Sequence, residues 1–222
     1  MNWEIEKESF YDFIIRNNVI GFYKKPVKLK SGRLSPFYIN WRKISEDVYL
    51  IDILTDYILL FIEYLKLTPD CFFGVPEGAT KLGIIIQFKW AKKNPAFGPE
   101  KFPLPMGRGK VKDHGELKDR IYLGMPKGKV VVLEDVTTTG DSLVQCISRL
   151  QDNNINVIAA VSLTNRNEIR DDGKTVEEVI KEKGVDYFSM SVFTKLIPKL
   201  ALTKELSISV ESYFKKYGVN NL

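Results

Sequence analysis

The sequence predicts an α/β protein with a central, mainly parallel sheet flanked by helices, and three observations lead there. Four runs, CFFGV (71–75), VVVLE (130–134), VIAAVSL (157–163) and DYFSMSV (186–192), have the length of strands. They are apolar along most of their length instead of at every second residue, the pattern of strands covered on both faces. Helical patterns at 79–91, 139–153 and 174–183 separate or follow them, and strands alternating with helices build parallel sheets.

The remaining elements follow in order. Ile5, Phe10, Phe13 and Ile14 recur at helical spacing, so an amphipathic helix is expected to end near Asn17-Asn18. A loop then leads to KSGRLSPFYINWR (30–42), whose glycine and proline punctuate short extended pieces. Val48 to Leu67 is a long apolar helical pattern, KKNPAFGPEKFPLP (92–105) reads as a surface loop, and the tail from Thr203 reads as a closing amphipathic helix.

Composition narrows the function. The chain has 222 residues, 44% hydrophobic and 27% charged, enough for one sizeable core and short for two domains. Its 33 Lys and Arg against 28 Asp and Glu give +5, scattered in pairs such as Lys24-Lys25 and Lys215-Lys216. Scattered cations favour small anionic ligands over nucleic acid. Cys71 and Cys146 sit inside apolar runs, with neither disulfide framework nor metal-ligand spacing. MNWEIEKESFYDFII carries acids and no small-residue cleavage site, and no apolar run approaches bilayer length. The expectation is a cytoplasmic protein without membrane or nucleic-acid partners.

Ligands of open α/β sheets bind outside the carboxyl ends of the strands. Three such ends carry polar residues: Gly74 to Gly78, Glu134-Asp135 and Asn165-Arg166. The second is the most informative. VVVLEDVTTTGDSL (130–143) runs from a buried strand into two acids, three threonines and a glycine at the start of a helix. The first amides of a helix lack internal partners and face the positive end of its dipole, so hydroxyls and a glycine beside them make a phosphate cradle. No lysine follows the glycine, which excludes the GxxxxGK[ST] nucleotide loop. The acids can accept hydrogen bonds from vicinal hydroxyls, and a sugar phosphate satisfies both halves. By composition alone, the same string also fits a capped helix start with solvated acids.

The whole string EDVTTTGDS resembles the phosphoribosyl-pyrophosphate signature of the type I phosphoribosyltransferases. The resemblance implies that fold, with a small N-terminal hood: one domain over 1–222, helix and hood to about residue 45 and core from about 46. It also implies that Glu134 and Asp135 bind the ribose hydroxyls and that Thr137, Thr138, Thr139, Gly140, Asp141 and Ser142 hold the 5′-phosphate. Three further stretches, in the same chain order, resemble the members that act on orotate. LKSGRLSPFYIN (29–40) resembles the hood, which implies that Lys30, Phe37 and Tyr38 lie against the pyrimidine. RGKVKDHGE (108–116) resembles the mobile catalytic loop, with Arg108, Lys112 and His114 closing over pyrophosphate, usually on a neighbouring subunit's site. TNRNE (164–168) places Arg166 where that group recognises the orotate carboxylate.

The activity implied by the resemblance is transfer of phosphoribosyl to orotate, with Arg108, Lys112, His114 and Asp135 as catalytic residues. Magnesium is carried mainly on the donor, without a protein metal site, and a homodimer shares the loop. The pattern departs at Glu77-Gly78, where many members carry an aromatic residue and a lysine, at Gly109, often basic, and at Asn165, often aspartate. These departures imply a less basic pyrophosphate site, with Lys81 or Lys110 as candidates to compensate. Two other readings stay open: a transferase for a purine base, and a non-catalytic sensor of the donor on the same fold.

Overall fold

The computed structural model describes residues 3–110, 112–114 and 117–220. Helix α1 (Trp3–Arg16) leads into a hairpin of β1 (Ile20–Lys28) and β2 (Leu34–Ile39), followed by the short α2 (Arg42–Ser45) and the long α3 (Val48–Tyr64). The core continues through β3 (Cys71–Gly74), α4 (Thr80–Lys93), the short β4 (Met106–Gly107), α5 (Leu117–Ile121) and β5 (Tyr122–Leu123). Strand β6 (Lys129–Thr137), α6 (Asp141–Asp152), β7 (Asn156–Asn165), α7 (Val176–Lys181) and β8 (Asp186–Val192) come next. Helix α8 (Phe193–Leu196) and α9 (Lys204–Tyr217) close the described chain.

The described residues of β3, β6, β7 and β8 form one parallel sheet in that order. The unbroken apolar runs have a direct cause. Val131 and Leu133 point into a core shared with α1, α3 and α9, through Phe10, Ile58 and Phe214. Val130 and Val132 point the other way, against Leu143, Ile147 and Leu150 of α6 and Val179 of α7. With helices on both faces, alternation has no solvent side to record. Each such side chain contributes about 1.5–3 kcal/mol on full burial.

The hood differs from the expectation. A strand occupies 20–28, where the sequence predicts a loop, and pairs antiparallel with β2, Phe22 opposite Phe37. Its residues are exposed or half-buried, so IGFYKKPVK carries no continuous apolar signal, and its ladder is irregular between Phe22 and Val27. At the hairpin tip Gly32 adopts φ +84°, with Leu29 and Arg33 closing the turn. The short β4–β5 pair, unread in the sequence, brackets the segment that carries Arg108, Lys112 and His114. No helix among the described residues is long and apolar enough to cross a membrane.

Candidate active site

Three strand ends and the hood meet in a cleft of about 460 Å³. Lys30 and Tyr38 line it from the hood, Glu134, Asp135 and Thr138 to Ser142 from the end of β6 and the start of α6, and Arg166 from the end of β7. Asp135 and Arg166 share one surface because parallel strands deliver their carboxyl ends to the same side of the sheet, and the tip of the antiparallel hood hairpin brings Lys30 over it. A smaller cleft of about 130 Å³ adjoins it, between α6 and the β4–β5 pair, and Arg108 lines that one.

The β6 end behaves as its composition requires. Glu134 is buried at 6% exposure, and burial, then the neighbouring Asp135, pushes its carboxyl well above the usual range. The Asp135 amide donates to Glu134 Oε1 at 3.2 Å, and the Val136 amide to Asp135 Oδ1 at 2.8 Å. Thr138 and Thr139 line the cleft, whereas Thr137 is buried and its hydroxyl bonds Tyr187 at 2.6 Å, beneath the site. Gly140 takes φ +75° to turn the strand into α6, and no side chain caps that helix. Its first amides are therefore available to a ligand.

Lys30 reaches across from the hood and donates to the Ser142 hydroxyl at 2.8 Å, so in this arrangement it stands at the phosphate cradle. Arg166 is deeply buried: Nε donates to Glu168 Oε1 at 2.6 Å, and one terminal nitrogen to Ser35 Oγ at 2.9 Å. Its guanidinium lies 4.0 Å above the Phe37 ring. Phe37 itself is fully buried, stacked on Phe193 at 3.9 Å, and does not line the cleft. It supports Arg166 from below, while its neighbour Tyr38 faces the cavity.

The catalytic-loop residues are not all brought together. Arg108 holds the Asp119 carbonyl through Nε at 3.0 Å. Lys112 and His114 are exposed and line neither cleft. Val111, Gly115 and Glu116 of the same stretch lie outside the described residues.

The sequence departures prove sterically linked. A Cβ on Gly78 would lie 2.4 Å from Asp135 Oδ2, and one on Gly109 the same distance from Glu77 Oε1. Gly78 thus lets the Asp135 carboxylate rest against its backbone, and Gly109 makes room for Glu77. Asn165 keeps an acceptor at its position, taking the Asn167 amide at 2.8 Å. Lys81 does not line the cleft; it donates to the Ser45 carbonyl at 2.9 Å.

Several participants escaped the sequence reading. Ser31, Arg42 and Gln145 line the cleft, and the buried Ser31 hydroxyl has no protein partner. Glu168 lies within TNRNE, yet its position there suggests no role. It accepts from Arg33 at 3.0 Å and from Tyr213 at 3.0 Å as well as from Arg166. Arg170 bonds Asp141 and the Thr139 carbonyl from outside the cradle. Local spacing does not announce the pairing of Glu168 with Arg33 and Tyr213 or of Arg170 with Asp141, because those partners come from distant segments.

A sheet ending in two acids, followed by a hydroxyl-rich loop at an uncapped helix start and faced by a hood, is the fold of the type I phosphoribosyltransferases. Within that class the chain is similar to orotate phosphoribosyltransferases. No protein-family model matches it. The curated orotate phosphoribosyltransferase of Actinobacillus succinogenes is 28% identical over 219 residues, covering 96% of this chain and 98% of its own. The crystal structure of the orotate phosphoribosyltransferase of Francisella tularensis is 22% identical, with a TM-score of 0.68 and coverage of 95% and 99%. Leishmania donovani UMP synthase reaches a TM-score of 0.73 at 19% identity, over 95% of this chain and 42% of its own.

Proposed function

We propose that this protein transfers the phosphoribosyl group from 5-phosphoribosyl 1-pyrophosphate to orotate, giving orotidine 5′-monophosphate and pyrophosphate. One observation carries the reading: the paired acids, the phosphate cradle, the hood lysine and Arg166 line a single cleft of about 460 Å³. The relatives named for this same reaction along almost the whole chain support it over a purine-base transferase or a non-catalytic sensor.

In the reaction a ring nitrogen of orotate attacks the anomeric carbon as the bond to pyrophosphate breaks. Glu134 and Asp135 accept hydrogen bonds from the ribose hydroxyls, and the α6 amides with Thr138 and Ser142 hold the 5′-phosphate, the Thr139 hydroxyl being given to Asp141. Arg166, fixed in direction by Glu168 through Nε and by Ser35 and Tyr213 through one terminal nitrogen, offers its other terminal nitrogen to the orotate carboxylate. Arg108, Lys112 and His114 neutralise the leaving pyrophosphate once their segment closes, which is where the developing charge lies. Closure over a second subunit's site, in a homodimer, accounts for two of these cations standing clear of the clefts of their own chain.

Magnesium belongs to this scheme as a companion of the donor. Two adjacent acids, Glu134 and Asp135, suit an ion held mainly by the donor's own oxygens. Asp135 would be the protein group to meet it, and the ion would supply further neutralisation of pyrophosphate. A cytoplasmic setting fits the two buried free thiols, both pushed up to about 12 by burial. The direct test follows the absorbance of orotate with donor and magnesium. Turnover by the wild type, lost in Asp135→Asn and His114→Ala, is the expected result; donor binding without turnover would identify a sensor instead.

A further inference from the structure

The phosphate cradle contains an acid. Asp141 opens α6, at the point where a bound phosphate dianion would meet the helix amides, and a free carboxylate there would repel the ligand and compete for the same donors. The structure turns that carboxylate aside. Thr139 Oγ1 donates to Asp141 Oδ2 at 2.7 Å, and Arg170 donates to Asp141 Oδ1 at 2.7 Å. The same arginine nitrogen bonds the Thr139 carbonyl, and its Nε lies 3.2 Å from Asp172 Oδ2. Both oxygens of Asp141 therefore already have a donor. Burial pushes this carboxyl up, yet the Thr139 hydroxyl and the Arg170 pair outweigh it and hold the carboxyl below the usual range.

Arg170 is itself held by the strap that leaves the end of β7. Its amide donates to the Lys174 carbonyl at 2.9 Å, and Ile169 and Val219 tie the strap to the end of α9. Along the strap, Arg166 faces the cleft, and Glu168 and Asp171 grip Arg33 of the hood at 3.0 and 2.8 Å. Arg170 grips the cradle. The Arg170 side chain is 18% exposed and that of Asp141 57%, so water screens the pair from the acid's side while the arginine stays fixed by its other bonds.

We propose that Arg170 is a positioning residue for the 5′-phosphate: by neutralising Asp141 and holding the Thr139 carbonyl, it makes an acid-bearing loop able to accept a phosphate dianion. The inference rests on the phosphoribosyl reading of the cleft. It also makes one strap responsible for both substrates, Arg166 for the base and Arg170 for the phosphate.

The test is calorimetric titration with ribose 5-phosphate, alongside KM values for both substrates, on wild type, Arg170→Ala and the double variant Arg170→Ala/Asp141→Asn. Arg170→Ala is expected to weaken ribose 5-phosphate and raise the donor KM by about tenfold, leaving the orotate KM within about twofold. Removing the acid in the double variant should recover most of that loss, which a merely structural arginine would not allow. Unchanged donor affinity in Arg170→Ala, or a double variant no better than the single, overturns the inference while wild-type turnover leaves the function standing. A folded wild type that binds neither ribose 5-phosphate nor the donor overturns the functional reading and this one with it. Should Arg170→Ala not fold, Arg170→Gln keeps a donor for the Thr139 carbonyl without the charge, and the same loss and rescue are required of it.

Discussion

Arg166 and Glu168 are locked together, Nε to Oε1 at 2.6 Å, with side-chain exposures of 2% and 0%. Glu168 also takes Arg33 from the hood, so a single buried carboxylate balances two guanidinium groups. Breaking a buried pair leaves uncompensated charge and costs about 3–5 kcal/mol. Glu168→Gln should accordingly lower stability by about 3 kcal/mol in urea unfolding and weaken orotate at least about tenfold. An unchanged unfolding midpoint would mean that the arginines find other partners.

Gly78 faces the Asp135 carboxylate so closely that Gly78→Ala places a methyl 2.4 Å from Oδ2. The carboxylate is short and its other oxygen holds the Val136 amide, so it cannot swing clear without giving up that bond. The variant should raise the donor KM by about tenfold and, as overpacking against a tethered group, lower stability by about 1–3 kcal/mol. A wild-type donor KM would show that the acid tolerates displacement.

Glu134 is held above its ordinary value of 4.5 by burial and by Asp135, and this direction sets the sign of its effect on stability. The folded protein retains this proton at pH values where the unfolded chain has released it. The stabilisation is complete below the unfolded value and is lost as pH rises through the folded one, about 1.4 kcal/mol for each tenfold difference in proton affinity. Glu134→Gln removes the group, so its melting temperature should gain on the wild type as pH rises from 5 to 8, while donor binding falls. All other titrating groups are common to both proteins. A difference independent of pH would place the acid's ionisation elsewhere.

Lys112 and His114 are exposed in the free protein and line neither cleft. If they act only on the leaving group of the closed site, Lys112→Ala should reduce kcat by about a hundredfold and leave the orotate Kd unaltered. Equal losses in kcat and orotate affinity would contradict a role confined to the transition state.

How much could be read in advance depended on the range of the forces involved. The parallel core strands were legible because burial on both faces writes itself into consecutive residues, as in VVVL (130–133). The cradle was legible because an acid pair, hydroxyls and a glycine must be neighbours in the chain to share one strand-to-helix turn. Strand β1 was not, since a hairpin exposed on one side lacks that pattern. Arg166 was legible by position and Phe37 by type, but the structure puts the ring beneath the arginine and leaves Tyr38 to face the cavity.

The sequence by itself determined the fold class, the polar residues that stand at the strand ends and the acid, hydroxyl and glycine turn that leads into α6. All three rest on short-range patterns of apolarity and hydrogen bonding. Only the tertiary structure decided which charges neutralise one another. Arg170 meets Asp141 across 29 positions and Arg33 meets Glu168 across 135. Such pairs are chosen by packing in space, and Coulomb attraction carries no trace of the number of residues between its partners.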